Sequence, residues 1–394
     1  MTKKHLIAAV IMIAAAFAVY SNTFYASFHF DDIPNIVENP KIKNVNNIPE
    51  MVTAGSRGIT MATFALNYYF GGLNVIGYHI VNITIHAING ILVYFILYMT
   101  FNLPSLRETF GDKSYRLALY ASLLFLVHPI QTQAVTYIVQ RLEILASLFY
   151  LLALFLFIKG SIAEGVLKKT MFFSAVVLSY ILGIFSKEIA VTLPAVILLY
   201  DYYFIADKDL KGVLKRLPVY AILFVITMAF SFKVLASLGG FGDLSEQSAG
   251  FGVKTISPKE YLFTQFNVIW TYIRLLFLPI NQNLDYDYPI AKTLFEFPTI
   301  LSFIGIIALI ATAIVFHSSK IKVYGARLIS FFILWFFIIL LPTSSFIPIL
   351  DVIFEHRIYL ASVGFAAIFA VVFDRVFEII EAKLSKSKPA EQKG

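Results

Sequence analysis

The run LIAAVIMIAAAFAVY (Leu6–Tyr20) is followed a short way on by HFDD (His29–Asp32). The first is an apolar stretch of helix length with Lys3 and Lys4 ahead of it. The second places two adjacent carboxylates where such a helix emerges into water. Crossing about 30 Å of hydrocarbon takes about 20 residues at about 1.5 Å per residue. Ala16-Phe17-Ala18 has the small-residue form of a signal-peptidase site. Reading Leu6–Tyr20 as a first anchor helix instead lets the later segments alternate correctly, with both ends inside.

The same pattern recurs down the chain. Apolar runs occupy Tyr78–Phe101, Leu117–His128, Leu142–Ile158, Met171–Phe185, Ile189–Phe204, Pro218–Leu238, Thr299–Phe316, Leu328–Phe346 and Ile358–Phe373. The 394 residues are 59% hydrophobic and 14% charged, with a mean hydropathy of +0.79. One soluble core cannot hide that excess. The expected fold is an all-α polytopic membrane protein, one domain over 1–394, with about 10–11 crossings. There is no cysteine, which excludes disulfides, thiolate chemistry and cysteine-ligated metals.

Basic residues mark the cytoplasmic side of a membrane protein. Lys168 and Lys169, the stretch Lys208–Arg216, Lys320 with Lys322, and the basic tail 379–394 should therefore face inward. That holds only if the aromatic run Tyr261–Leu278, with Gln265, Asn267 and Arg274 inside it, does not cross. It is expected to be an interfacial or re-entrant helix on the outer face. The inner segments then hold the surplus of Lys and Arg and the outer ones a surplus of Asp and Glu. Lys233 is left inside a span. The net charge of +7 is thus mostly a topology signal, and nothing supports nucleic-acid binding. Two outer loops are long, 21–77 and 239–298, the second opening with Gly239-Gly240-Phe241-Gly242. Large outer loops and trimmed inner ones point to work at the outer face.

The chemistry-bearing residues collect there. Asp31-Asp32-Ile33-Pro34-Asn35 has good turn chemistry. Two carboxylates side by side at a membrane boundary also repel and lose solvation, which raises a pKa and suits proton abstraction from a hydroxyl. Arg141, Lys187 and Arg357 stand at helix ends on the face that positive charge avoids. Each has an acidic neighbour, Glu143, Glu188 and Glu355 respectively, and local pairing would account for any one of them. Three at one depth can hold a phosphate. Asn82, His86 and Asn89 share a face of the second run, as interhelical hydrogen bonding requires. No zinc-binding histidine spacing, Walker loop, dinucleotide fingerprint or nucleophile elbow is present. Tyr286 and Tyr288 suit either an interfacial belt or the site.

In order along the chain come Phe30-Asp31-Asp32 with Asn35 and Glu38-Asn39-Pro40, Arg57 with Thr60, and Gly77-Tyr78-His79-Ile80-Val81-Asn82. Leu126-Val127-His128-Pro129, Arg141, Ser186-Lys187-Glu188 with Ala190-Val191-Thr192-Leu193-Pro194, and Glu355-His356-Arg357 with Tyr359-Leu360 follow. The set resembles the GT-C class of polytopic glycosyltransferases, and more closely the transmembrane and tetratricopeptide-repeat O-mannosyltransferase-like family. That resemblance implies transfer of a sugar from a polyprenyl-phosphate carrier to an acceptor hydroxyl outside the cytosol, with inversion. It implies Asp31 or Asp32 as base, and Arg57, Arg141, Lys187 and Arg357 around the carrier phosphate. His79, Glu143, Glu188, Glu355, His356, Tyr286 and Tyr288 are expected in support. No metal ligands are expected and no cofactor is required, a divalent cation being left open. The expected partners are the lipid-linked sugar, a protein or glycan acceptor, membrane lipids and a separate acceptor-recognition protein. The setting is a bacterial inner membrane. A lipid or glycan flippase and an oligosaccharide ligase are the alternatives. Gly58 and Gln140 depart from the family pattern, where Pro and Glu are common.

Overall fold

The computed structural model describes residues 3–237, 249–250, 253–318 and 323–387. The glycine-rich stretch Gly239–Gly242, Lys320, Lys322 and the end of the basic tail lie outside them. The described residues are helical, with one isolated β-bridge between Ala249 and Ile349. The main helices are α1 (Lys3–Tyr20), α2 (Gly58–Gly71), α3 (Val75–Phe101), α4 (Ser114–Val127), α5 (Arg141–Ile162) and α6 (Val166–Ile184). They continue with α7 (Leu193–Tyr200), α8 (Leu217–Ser237), α9 (Pro258–Phe277), α10 (Phe297–His317), α11 (Ala326–Leu340) and α12 (Ser362–Ser387).

Each apolar run read from the sequence overlaps one of these helices, but Leu328–Phe346 runs past the end of α11, Ile189–Phe204 takes in short helical turns on both sides of α7, and Leu238 lies outside the described residues. Among the described residues six helical stretches are long and apolar enough to cross a membrane: Lys3–Thr23, Val75–Phe101, Ile138–Ile162, Val166–Ile184, Glu188–Ile205 and Phe297–His317. A seventh arises if Pro104–Val127 and Pro129–Thr136, bent by 51°, form one span. The apolar part of α8, Leu217–Lys233, and all of α11 are shorter than a full crossing, and α12 carries charges along its second half. The bend has a local cause. His128 precedes Pro129 and is extended (φ −66°, ψ 129°), as a pre-proline residue prefers, so α4 stops there. The chain then runs on as a short helix, Thr132–Thr136, beside the outer loops.

The bundle is built around α3, which packs on α1, α4 and α5. Gly90 permits the α3–α4 approach, because a Cβ there would lie 2.6 Å from the Leu126 side chain. The polar stripe on α3 is used inside the bundle, as expected. Asn82 donates to the Val135 and Ile138 carbonyls (3.3 and 3.2 Å), and Asn89 to the Ile144 carbonyl (2.8 Å). His86 bridges the Tyr359 hydroxyl (2.7 Å) and the Leu126 carbonyl (3.0 Å). These bonds hold α3, α4, α5 and the chain before α12 in one register. At the opposite end of the bundle, Arg116 and Lys113 pair with Asp374 (2.5 and 3.3 Å), tying α4 to α12.

α9 is amphipathic, with Tyr261, Thr264, Gln265, Val268, Ile269, Tyr272, Leu275 and Leu276 buried on one face. A capping box of Ser257 and Glu260 starts it. It is not among the helices apolar enough to cross. Its buried face supports the loop before α12. Gln265 donates to the Val352 carbonyl (2.8 Å), and the Tyr272 hydroxyl donates to the Phe354 carbonyl (3.0 Å) and accepts from the Phe354 N–H (3.2 Å).

Candidate active site

Phe30 stands in the left-handed region (φ 45°), a conformation that costs a non-glycine residue about 1–3 kcal/mol. The strain turns the two carboxylates that follow in different directions. Asp32 points inward and is 1% exposed. Its Oδ1 accepts from the Val139 N–H (2.7 Å) and its Oδ2 from the His29 N–H (3.1 Å). Burial pushes its pKa up to about 6, against the pull of those two N–H groups. Asp32 thereby pins the first outer loop to the N-terminal end of the Ile138–Ile162 span. Asp31 is exposed, and its N–H donates to the Tyr137 hydroxyl (2.8 Å).

Beside Asp32 opens a cavity of about 340 Å³. Ser27, His29 and Asp32 come from the first loop, Thr132, Gln133, Thr136 and Tyr137 from the short helix and its end, and Gln282, Asn283 and Glu355 from later loops, while Asp31 does not line it. No Lys or Arg lines it. Glu355 is buried and accepts from Gln282 Nε2 (2.6 Å), the Asn283 N–H (2.8 Å) and the Tyr286 hydroxyl (2.5 Å). The expected pairing of Glu355 with Arg357 is not made. Gln133 accepts from the His356 N–H (2.7 Å) and donates to the Leu284 carbonyl (2.9 Å). Tyr137, Gln133 and Gln282 were not anticipated. Their neutral side chains carry no sequence signal, and only the fold brings them to the carboxylates.

The cations form a second group, and they exchange partners. Lys187 pairs with Glu143 (2.8 Å) rather than its neighbour Glu188. Glu188 instead takes Arg57 in a two-pronged contact, Nε–Oε1 3.1 Å and Nη2–Oε2 3.2 Å. Arg57 is the more open of the two cations, with 45% of its side chain exposed against 13% for Lys187. Burial lowers the Lys187 pKa, and Glu143 opposes that shift. His356 is buried beside Gln133. It is held neutral by burial first, then by the charges of Lys187, Arg357 and Arg57. His356 itself bonds to Gln133 on the cavity wall, Nδ1 to Oε1 at 3.1 Å.

Two cations assigned to a phosphate have other duties. Arg141 is fully buried and places its guanidinium 4.5 Å from the Phe64 ring. It donates to Asn82 Oδ1 (2.7 Å), the Tyr78 carbonyl (3.2 Å) and the Thr63 carbonyl (3.3 Å). Arg357 donates to the carbonyls of Asp351 (2.7 Å) and Val352 (3.2 Å) within its own loop. A buried guanidinium takes its many donors to the nearest carbonyls, and here these are protein groups. Tyr288 bonds to Thr271 on α9 (2.8 Å) and does not line the cavity. His79 is buried and bonds to the Ala26 carbonyl (3.0 Å), which holds the first loop against α3. Gly58 has a steric reason: a Cβ would come within 2.0 Å of the Met51 carbonyl oxygen, so the turn that presents Arg57 closes only with glycine. Among the described residues no group of three His, Asp or Glu side chains is placed to hold a metal ion.

Helices of spanning length around acids and bases gathered at one end define a multi-pass membrane protein with a polar site at its rim. The resemblance to the O-mannosyltransferase-like family is borne out by curated relatives. A protein O-mannosyl-transferase of Caenorhabditis elegans is 26% identical over 386 residues, covering 93% of this chain and 51% of that protein. Protein O-mannosyl-transferase TMTC2 of Mus musculus is 30% identical, covering 53% of this chain and 26% of that protein. TMTC1 of Homo sapiens is 31% identical, covering 52% and 24%. The chain thus spans about half or less of the curated relatives it matches. No family model matches. Among solved structures, ArnT from Cupriavidus metallidurans bound to undecaprenyl phosphate aligns with 93% of this chain and 60% of its own, at a TM-score of 0.48 and 16% identity.

Proposed function

We propose that this chain is a glycosyltransferase that moves a sugar from a polyprenyl-phosphate carrier to an acceptor hydroxyl on the outer face of the membrane, both termini lying inside. A bacterial inner membrane suits this reading. The similarity to protein O-mannosyl-transferases supports a mannosyl-type donor and a protein acceptor. The observation that carries the reading is a polar cavity with Asp32 on its wall, beside which the open Asp31 is held through its N–H to Tyr137.

Asp31 is assigned as the base and Asp32 as the anchor, because both Asp32 oxygens are already held by backbone N–H groups, whereas the Asp31 side chain is exposed. The acceptor O–H gives its proton to the Asp31 carboxylate, and the oxygen attacks the anomeric carbon. The bond from that carbon to the phosphate oxygen breaks on the far side, so configuration inverts. The carrier leaves as a phosphate monoester. Arg57 and Lys187 offset the charge that builds on it, while Glu188 and Glu143 hold them in place. The cavity, which has carboxylates and amides but no cation, suits a neutral hydroxylated group rather than the phosphate.

The test is transfer from polyprenyl-phosphate mannose by the purified protein in nanodiscs. Asp31→Asn should lower turnover by roughly 10²–10⁴-fold with an unchanged melting temperature. Full activity in that variant refutes the assignment.

A further inference from the structure

α8 carries a cation that the reaction above does not use. Its apolar part runs from Leu217 to Lys233. At about 1.5 Å per residue this spans roughly 24 Å, so the ammonium arrives near the outer hydrocarbon boundary rather than at the midplane. Its contacts agree. Lys233 Nζ donates to the Thr53 carbonyl of the first outer loop (3.4 Å) and sits 5.2 Å from the Phe185 ring. The Phe185 carbonyl accepts from the Ile59 N–H (3.1 Å), and the Thr60 hydroxyl donates to the Ser186 carbonyl (3.2 Å). The turn Phe185–Glu188 is therefore stitched to the segment that bears Arg57. Lys233 approaches this turn from α8, whose Phe224, Val225, Met228 and Phe232 are exposed and apolar, as on a lipid-facing surface. The turn itself carries Lys187, paired with Glu143, and Glu188, paired with Arg57.

Lys233 differs from those two in its pairing. Each of them has a carboxylate, whereas Lys233 has none among the described residues. Among the described residues it makes one hydrogen bond, which is long and engages one of its three N–H groups. An outward-placed lysine beside lipid runs against the positive-inside bias and costs free energy unless an anion compensates it. A compact ammonium on a flexible stem suits a phosphate that changes orientation as it arrives.

We infer that Lys233 is the bilayer-side receiving residue for the phosphate of the lipid carrier. It captures the headgroup while the polyprenyl chain is still among the lipids. It then passes the phosphate around the Phe185–Glu188 turn to Arg57 and Lys187. This rests on the transferase reading above. The alternative source of the same chemistry is the headgroup of a bulk anionic phospholipid.

The test measures binding before transfer. Full-length protein in phosphatidylcholine nanodiscs is titrated with polyprenyl phosphate bearing no sugar, with phosphatidylglycerol as competitor. Lys233→Gln should weaken polyprenyl phosphate binding roughly ten-fold, the loss of one charged contact, and Lys233→Arg should restore most of it. In transfer assays Lys233→Gln should raise the KM for the carrier and leave kcat unchanged. Wild-type affinity in Lys233→Gln overturns the inference and leaves the transferase reading standing. Displacement of the probe by equimolar phosphatidylglycerol overturns it too, making Lys233 a general headgroup anchor. A wild-type protein that binds no polyprenyl phosphate removes both readings.

Discussion

The buried carboxylate of Asp32 yields a stability prediction whose sign follows from its surroundings. Its pKa is raised from 3.8 to about 6 by burial. A shift of that size corresponds to about 3 kcal/mol between the protonation states. Between those two values the folded chain holds the proton that the unfolded chain has lost, so stability falls as pH rises through about 6. Ionised Asp32 therefore destabilises the folded state at neutral pH, and acidification relieves it. From pH 7 to pH 5 roughly 1 kcal/mol is recovered. Other carboxylates titrate over the same range, so the comparison is with Asp32→Asn, which removes this one group. The gap in melting temperature, wild type minus variant, should grow in favour of wild type by roughly 1–2 °C from pH 7 to pH 5. With no cysteine for a thiol dye, the readout is the fluorescence of Trp270 and Trp335 in detergent. A gap that stays constant, or that shrinks on acidification, refutes the argument that desolvation governs Asp32.

Three further outcomes follow from the ion pairs and the turn. Glu143→Gln strands the Lys187 ammonium in a buried setting, and should destabilise by about 3–5 kcal/mol in chemical denaturation while abolishing transfer. Arg141→Lys cannot reproduce the fan of bonds to Asn82, Tyr78 and Thr63, so it should lower the yield of folded protein, with an unchanged KM for the carrier in what does fold. Gly58→Ala forces the Met51 carbonyl away and misplaces Arg57, which should raise the KM for the carrier several-fold in steady-state assays, with α3 to α6 intact by proteolysis.

How much of this was legible in the chain depends on the range of the interaction. The helices were, because apolar runs and proline chemistry act over a few residues. Leu126-Val127-His128-Pro129 ends α4 by the restriction a proline places on the residue before it. Asn82, His86 and Asn89 fall on one face of α3 by helical spacing alone. The polar character of Tyr261–Leu278 likewise marked a helix that lies against the bundle. The placement of Asp31 and Asp32 at the outer end of the first helix was also local.

What the sequence determined by itself was therefore where helices form and which charged residues stand at their outer ends. Only the tertiary structure decided the partners. Arg57 reaches Glu188 across 131 positions, Lys187 passes over that adjacent acid for Glu143, and Arg141 turns inward to carbonyls of α2 and α3. It also separated Asp31 from Asp32, one open to solvent and one enclosed. The reason is that a salt bridge depends on which helix ends meet and how much water remains between them. Neither quantity is a property of residues adjacent in the chain.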